Sequence, residues 1–365
     1  MANDVLFKPF ESSKLQLKNR IVMAPMTRGF SPNGVPGDNV VEYYRRRAAG
    51  GVGLIISEGT TINHPSATDN TNYPKYWGEE SLAGWKKVID AVHKEGGKMV
   101  PQIWHLGSMR KPGTGHEPDA VTASPSGLVA RGKKKLPALS VEEIEKLILA
   151  YAEAALSAKE LGFDGVEIHG AHGYLVDTFF WDGTNERDDK YGGSIEKRTQ
   201  FGVEIVKKIR ELCGEDFPII LRYSQWTQTD FEAKLAETPE ELERFLKPLS
   251  DAGVDIFHCS TRRFWEPEFE GSTLNLAGWT KKITGKPCIS VGSVGLNQEF
   301  IATYSGGEAE VASLDNLIER MEAEEFDLIA VGRALIANPD WPAVVQAGDM
   351  TKLKSFDKEQ LGELV

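Results

Sequence analysis

The chain has 365 residues, 41% of them hydrophobic and 26% charged, a balance that suits a soluble globular protein and argues against disorder along its length. A formal net charge of −12 argues against the basic face that nucleic acid or an anionic membrane requires, so neither is expected as a partner. Cys213, Cys259 and Cys288 stand apart with no C-x-x-C spacing, which leaves zinc and iron–sulfur clusters without support.

The opening MANDVLFKPF lacks the basic and apolar segments of a signal peptide, and no apolar run is long enough to span a bilayer. A cytoplasmic location is expected. Short β-branched, apolar runs then alternate with longer segments of helical periodicity. The first predicted strand covers 20–27 (RIVMAPMT). Gly50, Gly51 and Gly53 read as a helix-to-strand turn before a strand over 53–59 (GLIISEG), and a helix follows over 81–95. The third strand, 98–105 (KMVPQIWH), leads into a Gly- and Pro-rich stretch over 107–137. That stretch is too long for a simple connection and is expected to pass over one mouth of the fold, where it would cover a site. Its basic run, Arg131 with Lys133, Lys134 and Lys135, reads as a solvated loop.

A helix over 140–161 comes next, opened by Ser140 and Glu143 in the form of a capping box. Strand 165–170 (GVEIHG), a helix over 194–212 and strand 218–224 (PIILRYS) follow. The helix over 238–252 repeats the capping pattern with Thr238 and Glu241, and has Pro239 at its first helical position. Strands over 255–261 (DIFHCST), 287–293 (PCISVGS) and 328–333 (LIAVGR) complete the set. Eight strand–helix units predict a parallel sheet clothed by helices and closed into a single (β/α)8 barrel over residues 1–365, with an N-terminal cap and the excursion after strand three. An open dinucleotide fold would follow its first strand with G-x-G-x-x-G, where this chain has APMTRG.

In such a barrel, functional side chains project from the C-terminal ends of the strands. Gly292 and Ser293 end strand seven, and Gly332 and Arg333 end strand eight. Glycine exposes backbone N–H groups there and arginine adds a permanent charge, a pattern that favours a phosphate over a pair of ordinary turns. Strand four ends in HGAHGY, placing His169, His172 and Tyr174 together. Two imidazoles three residues apart can both donate to one substrate oxygen, and a phenol can supply a proton. The competing reading is a metal-dependent hydrolase using His169 and His172 with His105, weakened by the lack of a fuller ligand set at other strand ends. Arg222, inside IILRYS, is costly to bury without an anion or electron-rich partner, and the amide of Gln102 fits the edge of a heterocycle.

The ordered motifs LFKPF, LKNRIVMAPMTR, SEGT, PQIWHLG, DGVEIHGAHGYL, RDDKYGGSIEKR, IILRYS, SVGS and VGRALIANPDW run nearly end to end, and with them the chain resembles the Old Yellow Enzyme family of FMN-dependent ene-reductases. The resemblance implies FMN as cofactor, NADH or NADPH as electron donor, and an α,β-unsaturated carbonyl or nitro compound as substrate. It implies that Ala24, Pro25, Met26 and Thr27 line the flavin, with the Thr27 hydroxyl near C4=O and N5. Gly59 would approach the isoalloxazine, Gln102 would bind its pyrimidine edge, and Arg222 would sit beside N1–C2=O. Gly292, Ser293, Gly332 and Arg333 would hold the phosphate. His169 and His172 would grip the substrate oxygen, Trp104 would wall the pocket, and Tyr174 would protonate the carbon after hydride reaches the β-carbon from flavin N5.

Three departures stand out. His172 occupies a position where many relatives have asparagine, and Thr27 one where a subclass has cysteine. The loops TFFWDGTNERDDKYGG, RYSQWTQTDF and STRRFWEPEFEG are unusually aromatic, so that Phe180, Trp181, Trp226, Phe264 and Trp265 either shape the pocket or pack the barrel rim or a subunit contact. The tail after Asp340 carries nothing assignable to catalysis. A dienoyl-CoA reductase type would need an iron–sulfur cysteine cluster and further nucleotide-binding domains, which this sequence does not show.

Overall fold

A computed structural model describes residues 4–299 and 308–365. Eight strands close into a parallel barrel in sequence order: β1 (Ile21–Met23), β2 (Leu54–Thr61), β3 (Lys98–Trp104), β4 (Val166–His172), β5 (Ile219–Thr227), β6 (Ile256–Ser260), β7 (Cys288–Val291) and β8 (Leu328–Val331). Closure is made by Ile329, Ala330 and Val331 of β8 pairing with Ile21, Val22 and Met23 of β1. Every residue of β2 and of β5 is buried, which is why these strands read as continuous runs rather than alternating ones. The principal outer helices are α1 (Asp38–Ala49), α2 (Glu79–Lys94), α3 (Val141–Leu161), α4 (Gln200–Cys213), α5 (Pro239–Ala252), α6 (Leu276–Thr284), α7 (Asp315–Glu322) and α8 (Arg333–Ala337).

Apolar burial is split between two layers. One lies between strands and helices; the other fills the barrel lumen with Val22, Leu54, Ile56, Val100, Ile220, Ile256, Ile289 and Leu328. Lumen side chains alone leave the N-terminal mouth open to water. The antiparallel hairpin Phe10–Glu11 with Gln16–Leu17 closes it, inserting Phe10, Leu15 and Leu17 into the same cluster. This is the predicted N-terminal cap.

The capping signals have different outcomes. Ser140 and Glu143 form the full reciprocal box, and Gly162, at φ 88°, closes the other end of α3 in a left-handed conformation where a side chain would be strained. Thr238 accepts from Glu241 N, but the Glu241 carboxylate turns to the N–H of Glu237 at 2.8 Å, so only half of that box exists. The helix expected over 194–212 forms as Ile195–Arg198 and then α4.

The excursion over 107–137 is held by a single buried cation. The Arg110 guanidinium donates to the carbonyls of Thr68 at 3.1 Å, Thr114 at 2.9 Å, Glu117 at 2.7 Å and Ala120 at 3.0 Å, and to Thr122 Oγ1 at 3.1 Å. Its basic run is exposed, and Arg131 pairs with Asp182 at 2.6 Å. Among the described residues, no helix is long and apolar enough to cross a membrane.

Because Leu17 is 3% exposed and plugs the lumen, Leu17→Ala should lower unfolding stability by about 2–5 kcal/mol in urea. Ser140→Ala should cost about 1 kcal/mol through its lost cap.

Candidate active site

At the C-terminal mouth the lumen changes from apolar to polar and opens into a cavity of about 490 Å³, within the range of cofactor sites. Almost every residue singled out from the sequence meets there. Ala24, Pro25, Met26 and Thr27 line it from β1 and its loop, Gln102 and Trp104 from β3, and His169, His172 and Tyr174 from β4. Arg222 lines it from β5, Gly292 and Ser293 from β7, and Gly332 and Arg333 from β8. Gly59 is outside the lining. A Cβ there would lie 2.5 Å from Cε3 of Trp104, so a glycine leaves room for the indole close to β2.

Beneath the cavity is a buried polar relay. Gln102 Nε2 donates to Glu167 Oε1 at 2.8 Å, and His258 Nδ1 donates to Glu167 Oε2 at 2.7 Å. The carboxylate thus fixes which face of the Gln102 amide remains for a ligand. Burial holds the His258 imidazole below its ordinary pKa although Glu167 pulls the other way.

Arg222 is 8% exposed and forms no ion pair among the described residues. Its recorded hydrogen bond runs from Nη2 to Ser260 Oγ at 3.2 Å, and its buried Nε has no partner. Burial lowers its pKa. A guanidinium with this little compensation calls for an anionic or electron-rich ligand against it.

The end of β4 is bent by a register shift between Gly170 and His172, with His172 at φ 68° and Gly173 at φ 86°. This bend turns three rings toward one point. His169 meets Tyr174 at 4.9 Å and His172 at 5.3 Å between centroids, and Trp104 meets Tyr174 edge-on at 4.9 Å. Trp226 stacks on His172 at 4.5 Å. Burial, then the nearby Arg222 charge, holds both imidazoles well below their ordinary pKa, so both are neutral. Burial pushes the Tyr174 phenol up, and Gln228 Nε2 donates to its oxygen at 3.1 Å. The turn itself is tied by Asp177, fully buried, whose Oδ2 accepts from the Gly173 N–H at 2.6 Å. Burial raises this carboxyl to about 8.

At the far end, Gly292 has φ 140°, and a Cβ there would meet the Thr261 carbonyl at 2.7 Å. Ser293 is left-handed at φ 54°, with Oγ 3.0 Å from the Arg262 carbonyl, and Arg333 Nη2 donates to the Gln298 carbonyl at 2.5 Å.

The structure adds residues that the sequence reading passed over. Ser260 and Arg262 line the cavity at the end of β6, where the strand-end rule could have found them. Gln228 and Leu361 also line it, without any local signal. Leu361 brings the C-terminal tail to the cavity wall, and Arg28 Nη2 holds this segment through the carbonyls of Gln360 at 3.1 Å and Glu363 at 2.5 Å. The excursion does not line this cavity. Its Ser108, Met109 and Val129 line a second one of about 300 Å³, shared with Trp181. Of the aromatic loop residues, Trp226 reaches the main cavity, Phe180 packs in the core against Phe245, and Phe264 and Trp265 pair with each other outside both cavities. His105 does not join His169 and His172; its Nε2 lies 3.1 Å from His64 Nδ1, outside the cavity lining. Among the described residues no group of three or more His, Cys, Asp or Glu side chains could hold a metal ion, and the hydrolase reading has no support.

A closed parallel barrel with a polar cofactor-sized mouth, an under-compensated guanidinium and glycines at the ends of β7 and β8 has the form of a barrel enzyme with room for a cofactor. Residues 5–352 match the NADH:flavin oxidoreductase / NADH oxidase family, and the chain belongs to it, an FMN- and NAD(P)H-linked oxidoreductase of the Old Yellow Enzyme type. It is 38% identical to 12-oxophytodienoate reductase 7 of Oryza sativa subsp. japonica over 362 residues, 92% of this chain and 86% of that protein. It is 35% identical to NADH oxidase of Thermoanaerobacter brockii over 361 residues, 96% of this chain but 52% of that protein, so it spans about half of that relative. The solved structure of morphinone reductase in complex with tetrahydroNAD superposes with a TM-score of 0.81 at 30% identity, covering 98% of this chain and 93% of that one. The old yellow enzyme homologue from Zymomonas mobilis gives 0.80 at 28% identity, covering 98% and 96%.

The residues present fit FMN: the cavity volume, the unpartnered Arg222 Nε and the Gly292 approach all match an electron-rich ring system carrying a phosphate. Arg222→Gln should therefore weaken FMN binding about tenfold or more, read by flavin fluorescence titration. Asp177 yields a pH prediction. Its folded pKa of about 8 lies above its ordinary 3.8, so the folded state binds the proton more tightly. That contribution to stability is complete at acid pH and is lost as pH rises through about 8. Asp177→Asn should flatten the fall in denaturation midpoint across this window.

Proposed function

We propose that the protein is an NADH- or NADPH-dependent ene-reductase acting on α,β-unsaturated carbonyl or nitro compounds. The observation that carries this reading is the convergence of His169, His172 and Tyr174 beside Arg222 in one cavity. The reductase names among its relatives support it, morphinone reductase and 12-oxophytodienoate reductase included.

When bound, FMN would supply the hydride chemistry that links the nicotinamide to the alkene β-carbon. His169 and His172, held neutral by burial and by Arg222, each offer an N–H to the substrate oxygen. Those donors stabilise the negative charge that develops on the oxygen during hydride attack. Tyr174 is protonated at neutral pH, a state that burial reinforces by raising its pKa, and it delivers that proton to the α-carbon. Gln228 then donates to the phenolate oxygen left behind. Trp104 and Trp226 hold the rings in register and keep water from the reacting atoms. Arg222 places a positive charge against the electron-rich edge of the cofactor site.

Tyr174→Phe should slow reoxidation of the reduced enzyme by an enone on the order of 100-fold in stopped-flow measurements. Reduction by the nicotinamide should stay nearly unchanged; equal slowing of both half-reactions would remove Tyr174 from the proton-transfer role. His169→Ala should weaken phenol-type ligands titrated through their charge-transfer band, and an unchanged titration would count against the oxygen-anchor assignment.

A further inference from the structure

Ser260 ends β6 and connects two groups with different tasks. Its Oγ lies 2.8 Å from His172 Nε2 and accepts from Arg222 Nη2 at 3.2 Å. Its own carbonyl accepts from Trp226 Nε1 at 3.2 Å, and Trp226 stacks on His172 at 4.5 Å, so the serine and the imidazole are held from both sides. A hydroxyl has one proton and two lone pairs, whereas a guanidinium only donates. The Arg222 contact therefore takes one lone pair of Ser260. If His172 Nε2 also donated, Oγ would accept twice and its proton would have no acceptor among the described residues, in a side chain 3% exposed. If Ser260 donates to Nε2, the hydroxyl proton has an acceptor and the Nε2 lone pair has a donor.

We infer that Ser260 is a positioning residue that sets His172 as its Nδ1–H tautomer, donating to Nε2 while Arg222 anchors the hydroxyl. The substrate-facing N–H of His172 is then on Nδ1, and the oxygen anchor is mechanically linked to the cationic side of the cofactor site. An asparagine at this position would present its amide N–H without any tautomer to choose, whereas a neutral imidazole has two. Burial and the Arg222 charge keep the ring neutral, so the tautomer question is real at neutral pH. The part concerning substrate rests on the ene-reductase reading; the part concerning the tautomer does not.

The test uses holoenzyme labelled with 15N-histidine, with the His172 signals identified by their loss in His172→Gln. Wild type should show a protonated Nδ1 and a bare Nε2. Ser260→Ala should move His172 toward the Nε2–H form and weaken a para-substituted phenol about tenfold, roughly one hydrogen bond. Ser260→Thr should restore both, which separates the hydroxyl's role from a folding fault in the alanine variant. A wild-type His172 protonated at Nε2, or a tautomer indifferent to Ser260→Ala, overturns the inference. A changed tautomer with unchanged phenol affinity overturns the positioning role. Failure of wild type to bind phenols or reduce enones would defeat the ene-reductase reading instead, and would leave the tautomer result standing.

Discussion

A guanidinium in the mouth of a barrel costs free energy until something satisfies it, and most of the polar architecture here is organised around that cost. Arg222 stands on β5 with Ser260 as its recorded hydrogen-bonding partner and Glu167 as the carboxylate that most supports its charge. Its positive charge also acts outward, lowering the pKa of His169, His172 and His258 beyond what burial does. One cation therefore prepares the site twice. It leaves donors aimed at an electron-rich ligand, and it keeps neighbouring imidazoles neutral so that they act as hydrogen-bond donors without adding repulsive charge.

Holding that charge in place depends on what lies below it. The lumen is apolar from the hairpin plug at Phe10, Leu15 and Leu17 up to the middle of the strands. Above it polar side chains appear on β3, β4 and β6, where Gln102, Glu167 and His258 form a connected relay rather than isolated polar groups. A connected network can be buried at modest cost, while a single unpaired member would be expensive. The bent end of β4 adds the substrate-side groups: a left-handed His172, a glycine after it, and a buried carboxyl below pinning the turn. The bend rotates His169, His172 and Tyr174 out of the alternating pattern of a strand and onto one point.

Much of this was legible in the residues. All eight strands and the Ser140 capping box follow from local patterns, because runs of buried apolar residues and caps act over a few neighbours. Fourteen of the fifteen residues expected at the site line one cavity, eleven of them from strand ends, which a closed barrel forces together, and Ala24, Pro25 and Met26 from the family resemblance. Gly59 is the exception for a physical reason: strand-end position alone does not say which face a residue takes, and here Trp104 occupies the space in front of it. The excursion over 107–137 likewise lines the neighbouring cavity.

What the residues determined unaided was the chemistry on offer: a parallel barrel, a glycine- and arginine-bearing end for a phosphate, two imidazoles with a phenol, and a costly arginine. The tertiary structure alone decided who partners whom. Ser260 lies 38 positions from Arg222 and 88 from His172, Glu167 lies 91 from His258, and Leu361 enters the cavity from the far end of the chain through Arg28. Such contacts are set by barrel closure and by the bend of β4, neither of which leaves a periodic trace in the sequence. The cost of burying the arginine is legible in the sequence; its hydrogen bond to Ser260 exists only once the strands close around it.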